Sequence, residues 1–297
     1  MKYAIGVDIG GTKISIVLGT SAGKILSQKE ISTQLGRSAQ RSVREIIVSI
    51  KEILQNSGIP KKKILGVGVG VPGAVNAPKG ILPRSPNLPG WAGLPLKKIL
   101  SQATKLPVYL ANDANAAALG ESVFGAGKKA QNFIYITVST GVGGGIEIRD
   151  RLYEGSGFVA GEIGHMSIVP EGEKCNCGQR GCLEAYASGT AIGNYVRKRM
   201  TRSNTKIWKF LPKNRKFNAR QVGMAAKEGD PLCIESYKQA GYYLGIGISI
   251  LMNVLNPEKI VIGGGVLRSA HQIFWKSMLQ SAKQHAWPEA FSTTRIL

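Results

Sequence analysis

Acid is in short supply in this sequence. Its 297 residues hold 18 Asp and Glu against 39 Lys and Arg, a formal net charge of +21. That excludes an acidic, solvating chain and favours anionic partners such as nucleotides, polyphosphate, nucleic acid or a membrane surface. A basic solvated surface accounts for the same numbers, because charge says nothing about fold. Histidine stops at three residues and cysteine at four, too few for a disulfide scaffold in this length. No secretory apolar region opens the chain, since Met1-Lys2 leads straight into Tyr3-Ala4-Ile5-Gly6-Val7-Asp8. Long apolar runs are missing too. The longest uncharged stretch, Gln239 to Pro257, carries Gln239, Gly241, Gly245, Gly247, Ser249 and Asn253 and is closed by proline. It fits a buried core helix better than a membrane span. A cytoplasmic chain without a membrane partner is the expectation.

Glycine, by contrast, is plentiful. Its 38 residues are clustered, which points to backbone-lined binding loops rather than disorder. The 43% apolar content supports a sizeable core, and the length allows one large or two medium domains.

The opening predicts strands over 3–8, 14–18 and 25–31, with glycine turns between them. Val43, Ile46, Ile47, Ile50, Ile53 and Leu54 recur at helical spacing, and Gly58 and Pro60 mark the end of that helix. Ile64 to Val71 reads as a buried strand. Residues 72 to 95, rich in Pro, Gly and Asn, read as an ordered loop. A short strand at Val108 to Leu110 precedes Asn112-Asp113, and a helix begins at Ala114. At Phe133 the opening pattern returns: apolar strand, turn with Thr and glycines, then Ile146 to Ile148. This echo of 3–18 in 133–148 predicts two similar α/β halves with a cleft between them, residues 1–112 and 113–297.

Asp8-Ile9-Gly10-Gly11-Thr12-Lys13 is a candidate phosphate loop. Glycines let backbone N–H groups approach phosphate oxygens, Thr12 adds a hydroxyl, and Asp8 at the strand end could hold hydrated magnesium. An ordinary hairpin turn is the competing reading. No Gly-Lys-Ser/Thr closes the loop, so it is not a Walker A motif. Thr140-Gly141-Val142-Gly143-Gly144-Gly145 is a second such loop, read as a glycine-rich turn. Two of them suggest one nucleotide held between the halves. Gly68-Val69-Gly70-Val71-Pro72-Gly73 formally matches a dinucleotide fingerprint. It is rejected because a proline-rich loop follows, and no acid occurs between Glu52 and Asp113.

Cys175, Cys177 and Cys182, separated by glycine turns, can wrap a tetrahedral ion, and His165 is the natural fourth ligand. Four protein ligands make the predicted zinc structural rather than catalytic. Reduced core cysteines are the alternative, and Cys233 stands alone as one. Glu162 and Glu184 bracket this segment, so a metal there would fix two carboxylates at a defined separation. Asn112-Asp113-Ala114-Asn115 sets a carboxylate at a strand-to-helix junction, where it serves as a helix cap, as a general base, or as both.

In this order the motifs resemble the ROK (repressor, open reading frame, kinase) family of sugar kinases over nearly the whole chain. Ser85-Pro86-Asn87-Leu88-Pro89-Gly90-Trp91 and Gly263-Gly264-Gly265 belong to the match. The resemblance implies an α/β fold of two actin-like ATPase (ribonuclease H-like) domains with the active site in the interdomain cleft. It implies that Gly73, Asn87, Asn112, Asp113, Glu162, His165 and Glu184 line the sugar, with Asp113 as catalytic base. It places Asp8, Gly10, Gly11, Thr12, Lys13, Thr140, Gly141, Gly264 and Gly265 around ATP and Mg²⁺. His165 would turn one ring nitrogen to zinc and the other to a sugar hydroxyl. The expected reaction is ATP-dependent phosphorylation of a hexose, glucose first, with N-acetylmannosamine, fructose or another hexose as alternatives. A homodimer is expected.

Two features depart from the family pattern. The chain ends at Ile296-Leu297, where relatives continue through a closing segment with a final helix. Residues 185 to 227 hold eleven Lys and Arg and no acid. That stretch could carry a long anionic phosphoryl donor such as inorganic polyphosphate, or be a solvated basic face. A sugar-responsive transcription regulator is the remaining alternative. Since the first phosphate strand starts at Tyr3, no DNA-reading motif is expected, nor any specific nucleic-acid binding.

Overall fold

The computed structural model describes residues 1–33, 38–84, 88–212 and 216–297. They form two compact units, residues 1–125 with 152–160 and residues 126–151 with 161–297.

In the first unit, alternating apolar residues make strands β1 (Tyr3–Ile9) and β2 (Lys13–Thr20), and the more exposed β3 (Ile25–Ser32) pairs with β2 at the sheet edge. Ile5, Val7 and Ile9 on β1 and Ile14, Ile16 and Leu18 on β2 are buried, with the period of two that a packed sheet face requires. Helix α1 (Ala39–Ser57) is capped by Ser38, which accepts from the Arg41 N–H, and ends at Gly58 with φ 63°. Strand β4 (Ile64–Val71) follows. The stretch expected as loop contains a small hairpin, β5 (Ala74–Asn76) with β6 (Ile81–Arg84). Its apolar Val75 and Leu82 are buried in the core, and that burial outweighs the local proline and glycine content. Helix α2 (Leu96–Thr104), strand β7 (Val108–Asn112) and helix α3 (Asp113–Phe124) complete the unit. The sheet order is β3-β2-β1-β4-β7. Because α3 packs on β4 and β7, it stays with this sheet, and the chain divides after Gly125 rather than at 112.

The second unit holds β8 (Phe133–Val138), β9 (Val142–Ile148), β10 (Arg151–Leu152), α4 (Glu184–Ala187), α5 (Gly189–Arg199) and α6 (Ala219–Lys227). Helix α7 (Pro231–Leu255), β11 (Lys259–Gly263), α8 (Gly265–His285), α9 (Pro288–Thr293) and β12 (Arg295–Ile296) follow. The sheet order is β10-β9-β8-β11-β12. As β1 runs antiparallel to β2 and parallel to β4, so β8 runs antiparallel to β9 and parallel to β11. The sequence echo is therefore an echo of topology. Gly143 to Gly145, expected in a turn, lie within β9, and only Ser139 to Gly141 turn the chain. The uncharged stretch forms the larger, C-terminal part of α7, with Ala240, Leu244, Ile248 and Met252 buried and Val254 exposed, and no helix among the described residues is long and apolar enough to cross a membrane.

Candidate functional site

In the first unit the sheet brings two carboxylates to the same strand ends. Asp8 near the end of β1 pairs with Gly70 of β4, and Gly70 pairs with Ala111 of β7, two residues before Asp113. A Cβ on Gly70 would stand 3.6 Å from Asp113 Cα and 3.9 Å from Asp8 Oδ1, so both aspartates border this glycine. Asn112 caps α3, its Oδ1 accepting from Ala114 N–H at 2.9 Å and Asn115 N–H at 3.2 Å. Its Nδ2 donates to the Gly73 carbonyl at 3.1 Å. The amide of Asn112 thus fixes Gly73 and the helix start, while Asp113, first residue of the helix, stays exposed. Both carboxylates keep exposed surface, yet the protein around them removes enough water to raise each above the ordinary aspartate range. For Asp113 the Ala114 N–H, 2.8 Å from Oδ1, pulls back down and the Asp8 charge pushes further up; for Asp8 the Lys13 charge pulls down. Asn115 is buried, and its Oδ1 finds no partner among the described residues.

The Gly10 to Lys13 turn is closed by Gly10 N–H donating to the Lys13 carbonyl at 2.9 Å. Thr33 braces it from outside, its hydroxyl donating to the Gly10 carbonyl at 2.6 Å and its N–H to the Thr12 carbonyl at 3.1 Å. Thr12 is exposed. Lys13 Nζ lies 2.6 Å from Glu30 across the β2–β3 pair.

In the second unit, Ser139 N–H donates to the Gly141 carbonyl at 2.9 Å. Two helix starts meet this turn. Thr190 Oγ1 in α5 donates to the Thr140 carbonyl at 2.7 Å, and Gly265 N–H at the start of α8 donates to Ser139 Oγ at 3.1 Å. The dipoles of these helix starts favour negative charge nearby, while the Gly189, Thr190 and Gly265 N–H groups themselves donate to the turn. Gly264 and Gly265 begin α8 directly beside the turn. Sequence reasoning missed Ser139 and Thr190. The Ser188 cap of α5 was the legible signal, because Ser before a helical stretch marks such a start.

The Glu162-Ile163-Gly164-His165 motif forms a short 3₁₀ turn over β9. The glycines of β9 make room for it, since a Cβ on Gly144 would lie 2.2 Å from Ile163 Cδ1. That packing, rather than phosphate contact, explains Gly144. His165 Nε2 lies 3.8 Å from Glu162 Oε2, and its Nδ1 lies 3.8 Å from Cys175 Sγ.

The ligand atoms of His165, Cys175, Cys177 and Cys182 lie within 4.8 Å of one another. Cys177 Sγ and Cys182 Sγ are 3.7 Å apart. In a tetrahedral thiolate site with zinc–sulfur bonds of about 2.3 Å, sulfurs stand about 3.8 Å apart, whereas a disulfide would bring them to about 2.05 Å. Burial pushes the Cys182 thiol up to about 12, and burial raises Cys175 as well. Crowded sulfurs of this kind suit a cation at their centre, so the residues fit the predicted zinc. Backbone bonds hold the loop, with Cys175 N–H on the Gln179 carbonyl at 2.8 Å and Leu183 N–H on the Met166 carbonyl at 2.9 Å. Cys233 is a buried core residue, as expected. Of the sugar-site residues predicted from sequence, the first unit brings Gly73, Asn112 and Asp113 together and the second brings Glu162, His165 and Glu184 together. Asn87 lies outside the described residues, as do Ser85 and Pro86.

Two sheets of one connectivity, each opening with an antiparallel pair joined through a glycine turn, define the actin-like ATPase class. The ROK family profile matches residues 4–295, and the chain belongs to that family. It is 38% identical over 297 residues to a glucokinase of Halalkalibacterium halodurans, across 99% of this chain and 88% of the relative. It is 34% identical over 259 residues to a xylose repressor of Caldicellulosiruptor bescii, across 87% of this chain and 65% of the repressor. Among solved structures, a ROK family glucokinase from Streptomyces griseus in complex with glucose and AMPPNP matches with a TM-score of 0.79 and 34% identity, over 94% of this chain and 89% of that one.

Proposed function

We propose that this sugar kinase transfers the γ-phosphate of ATP to glucose, giving glucose 6-phosphate, with Asp113 as general base. The observation that carries the reading is the setting of Asp113: exposed, at the first position of α3, and raised by partial burial beside Asp8. The sugar 6-hydroxyl attacks the γ-phosphorus, its proton passes to an Asp113 carboxylate oxygen, and the bond to the β–γ bridging oxygen breaks, releasing ADP. Asp8 holds the magnesium that arrives with ATP. Gly10, Gly11, Thr12, Lys13, Thr140 and Gly141 contact phosphates, and Gly264 and Gly265 border the adenosine. Gly73, Asn87, Asn112, Glu162, His165 and Glu184 bind sugar hydroxyls, the carboxylates as acceptors. His165, Cys175, Cys177 and Cys182 hold a zinc ion, which when bound closes the loop between Glu162 and Glu184. With His165 Nδ1 turned to the cysteines, Nε2 is left toward Glu162 and the sugar.

Glucose is favoured over N-acetylmannosamine, fructose and other hexoses by the likeness to glucokinases, one of them solved with glucose and AMPPNP. A sugar-responsive regulator without turnover is the competing reading, and the likeness to a xylose repressor favours it. A panel of sugars assayed with ATP and Mg²⁺ decides. Glucose is expected to give the highest kcat/KM. A faster hexose displaces glucose, and sugar binding without turnover on any member points to the regulator.

A further inference from the structure

We propose that Glu184 is a positioning residue for the nucleotide: its carboxylate fixes the Thr140-Gly141-Val142 turn to the cysteine loop. The proposal rests on reading that turn as the phosphate-binding turn.

The geometry lies wholly within the second unit. Glu184 Oε2 accepts the Val142 N–H at 2.9 Å. Its other oxygen, Oε1, stands 3.9 Å from Cys175 Sγ. The three atoms that a Cβ on Gly141 would meet first all belong to this carboxyl: Oε2 at 2.2 Å, Cδ at 3.2 Å and Oε1 at 3.9 Å. The carboxyl therefore occupies the place where a side chain at 141 would begin. It is held from behind as well. Glu184 opens α4 directly after Cys182 and Leu183, and Leu183 is fully buried.

A negative charge beside a phosphate turn repels the ligand, so Glu184 cannot help the nucleotide by attraction. What it supplies is a fixed backbone, through a hydrogen bond to a charged acceptor, which is among the stronger kinds. This separates the two features of the side chain. Removing the hydrogen bond should loosen the turn and weaken nucleotide binding. Removing the charge while keeping an acceptor should not. Gly141 gives an independent handle, because a methyl group there strikes the Glu184 carboxyl before any other group.

The test measures AMPPNP-Mg²⁺ affinity by calorimetry without sugar, on the full metal-loaded chain, with amide exchange at Val142 in parallel. Glu184→Ala is expected to weaken AMPPNP binding about tenfold and to speed Val142 exchange, while Glu184→Gln stays within about twofold of the parent. Gly141→Ala is expected to weaken binding in the parent, with the Gly141→Ala/Glu184→Ala double variant no worse than Glu184→Ala alone. Unchanged AMPPNP affinity in Glu184→Ala, with Gly141→Ala impaired, overturns the strut. So do additive losses in the double variant, or a Glu184→Gln as weak as Glu184→Ala. If Val142 exchange rises in Glu184→Ala but neither single substitution alters AMPPNP affinity, the turn does not hold phosphate, and the functional reading of Thr140 and Gly141 falls with the proposal. Should Glu184→Ala fail to fold, Glu184→Gln and Gly141→Ala still decide: parent-like affinity in both overturns it.

Discussion

Asp113 and Asp8 flank Gly70, where a Cβ would lie 3.6 Å from Asp113 Cα and 3.9 Å from Asp8 Oδ1, and the Asp8 charge raises the Asp113 carboxyl. In the proposed mechanism Asp113, at the start of a helix, takes a proton, and Asp8, at the strand end, holds a cation. Asp113→Asn keeps an oxygen for the Ala114 N–H but cannot accept a proton. Turnover is expected to fall by about 10²–10⁴-fold or more, with sugar affinity by calorimetry little changed. Turnover close to the parent rate would remove Asp113 from the mechanism.

The same pair sets an expected pH response. Burial raises the Asp113 carboxyl, and Asp8 raises it further. Replacing Asp8 with Asn removes the second contribution, so in the free protein the Asp113 carboxyl should titrate at lower pH in Asp8→Asn than in the parent. For stability the sign is opposite to that of a salt-bridged acid. A carboxyl whose folded pKa is raised binds its proton more tightly when folded, so its contribution to stability grows as pH falls through that folded pKa. Asp113→Asn is therefore expected not to lower the thermal midpoint at pH 7. Carboxyl-carbon NMR titration and a melting curve check the two statements, and an upward shift in Asp8→Asn contradicts the first.

The cluster of one histidine and three cysteines was the most legible part of the candidate site. His165, Cys175, Cys177 and Cys182 lie close together in sequence, and ligand spacing in a local loop survives any uncertainty about the fold. The echo of residues 3–18 in 133–148 was legible too, because repeated topology repeats its apolar and glycine pattern. What sequence reasoning misjudged were glycines that serve packing. Gly144 looks like a phosphate contact until Ile163 is found over it, and that neighbour comes from another part of the chain. The β5–β6 hairpin was hidden for the opposite reason, since its proline- and glycine-rich surroundings masked the burial of Val75 and Leu82. Glu184 was read only as a sugar acceptor. Its bond to Val142, 42 residues away, has no local signature.

One zinc ion per chain is expected on metal analysis of carefully prepared protein, bound by His165, Cys175, Cys177 and Cys182. Removing it should free the segment between Glu162 and Glu184, both read as sugar acceptors. Loss of the partners that orient such sites costs about 10–100-fold in affinity or activity. Sugar affinity is expected to fall by as much on chelation, and nucleotide affinity by no more than the loss of the Glu184 bond to Val142 would cause. Protein that contains no zinc as prepared yet binds sugar normally would overturn the assignment.

Asp230 is expected to be a stability residue remote from the chemistry. It is fully buried and caps α7, accepting from the Cys233 N–H at 2.8 Å. It also accepts from the Thr205 hydroxyl at 2.7 Å and from the Lys206 N–H, tying the segment before α6 to α7. Asp230-Pro231 was a readable helix start, an acid followed by proline at the first helical position. Asp230→Ala strands three donors and should destabilise the protein by about 2–4 kcal/mol in denaturant titration. A change below about 0.5 kcal/mol, typical of unremarkable surface substitutions, would show that the three donors find other partners.

The basic stretch from 185 to 227 is expected to be a solvated face rather than a track for polyphosphate. Several of its eleven cations are engaged. Lys198 pairs with Glu173 at 2.8 Å, Arg197 lies over the Phe217 ring at 4.8 Å, and Arg199 lies over the Tyr195 ring at 3.9 Å. Trp208 donates to the Thr201 carbonyl at 3.3 Å, so its ring is tied to the same segment. Lys213 and Arg215 lie outside the described residues. A polyanion steered by the exposed remainder would show it in salt, because the screening length falls from about 10 Å at 0.1 M to about 3 Å at 1 M. Sugar phosphorylation with ATP is therefore expected to depend only weakly on salt, and inorganic polyphosphate to support none at low ionic strength. Measuring initial rates with each donor at both salt levels checks this. Polyphosphate-driven turnover that fades as salt rises would assign the stretch a role in binding the phosphoryl donor.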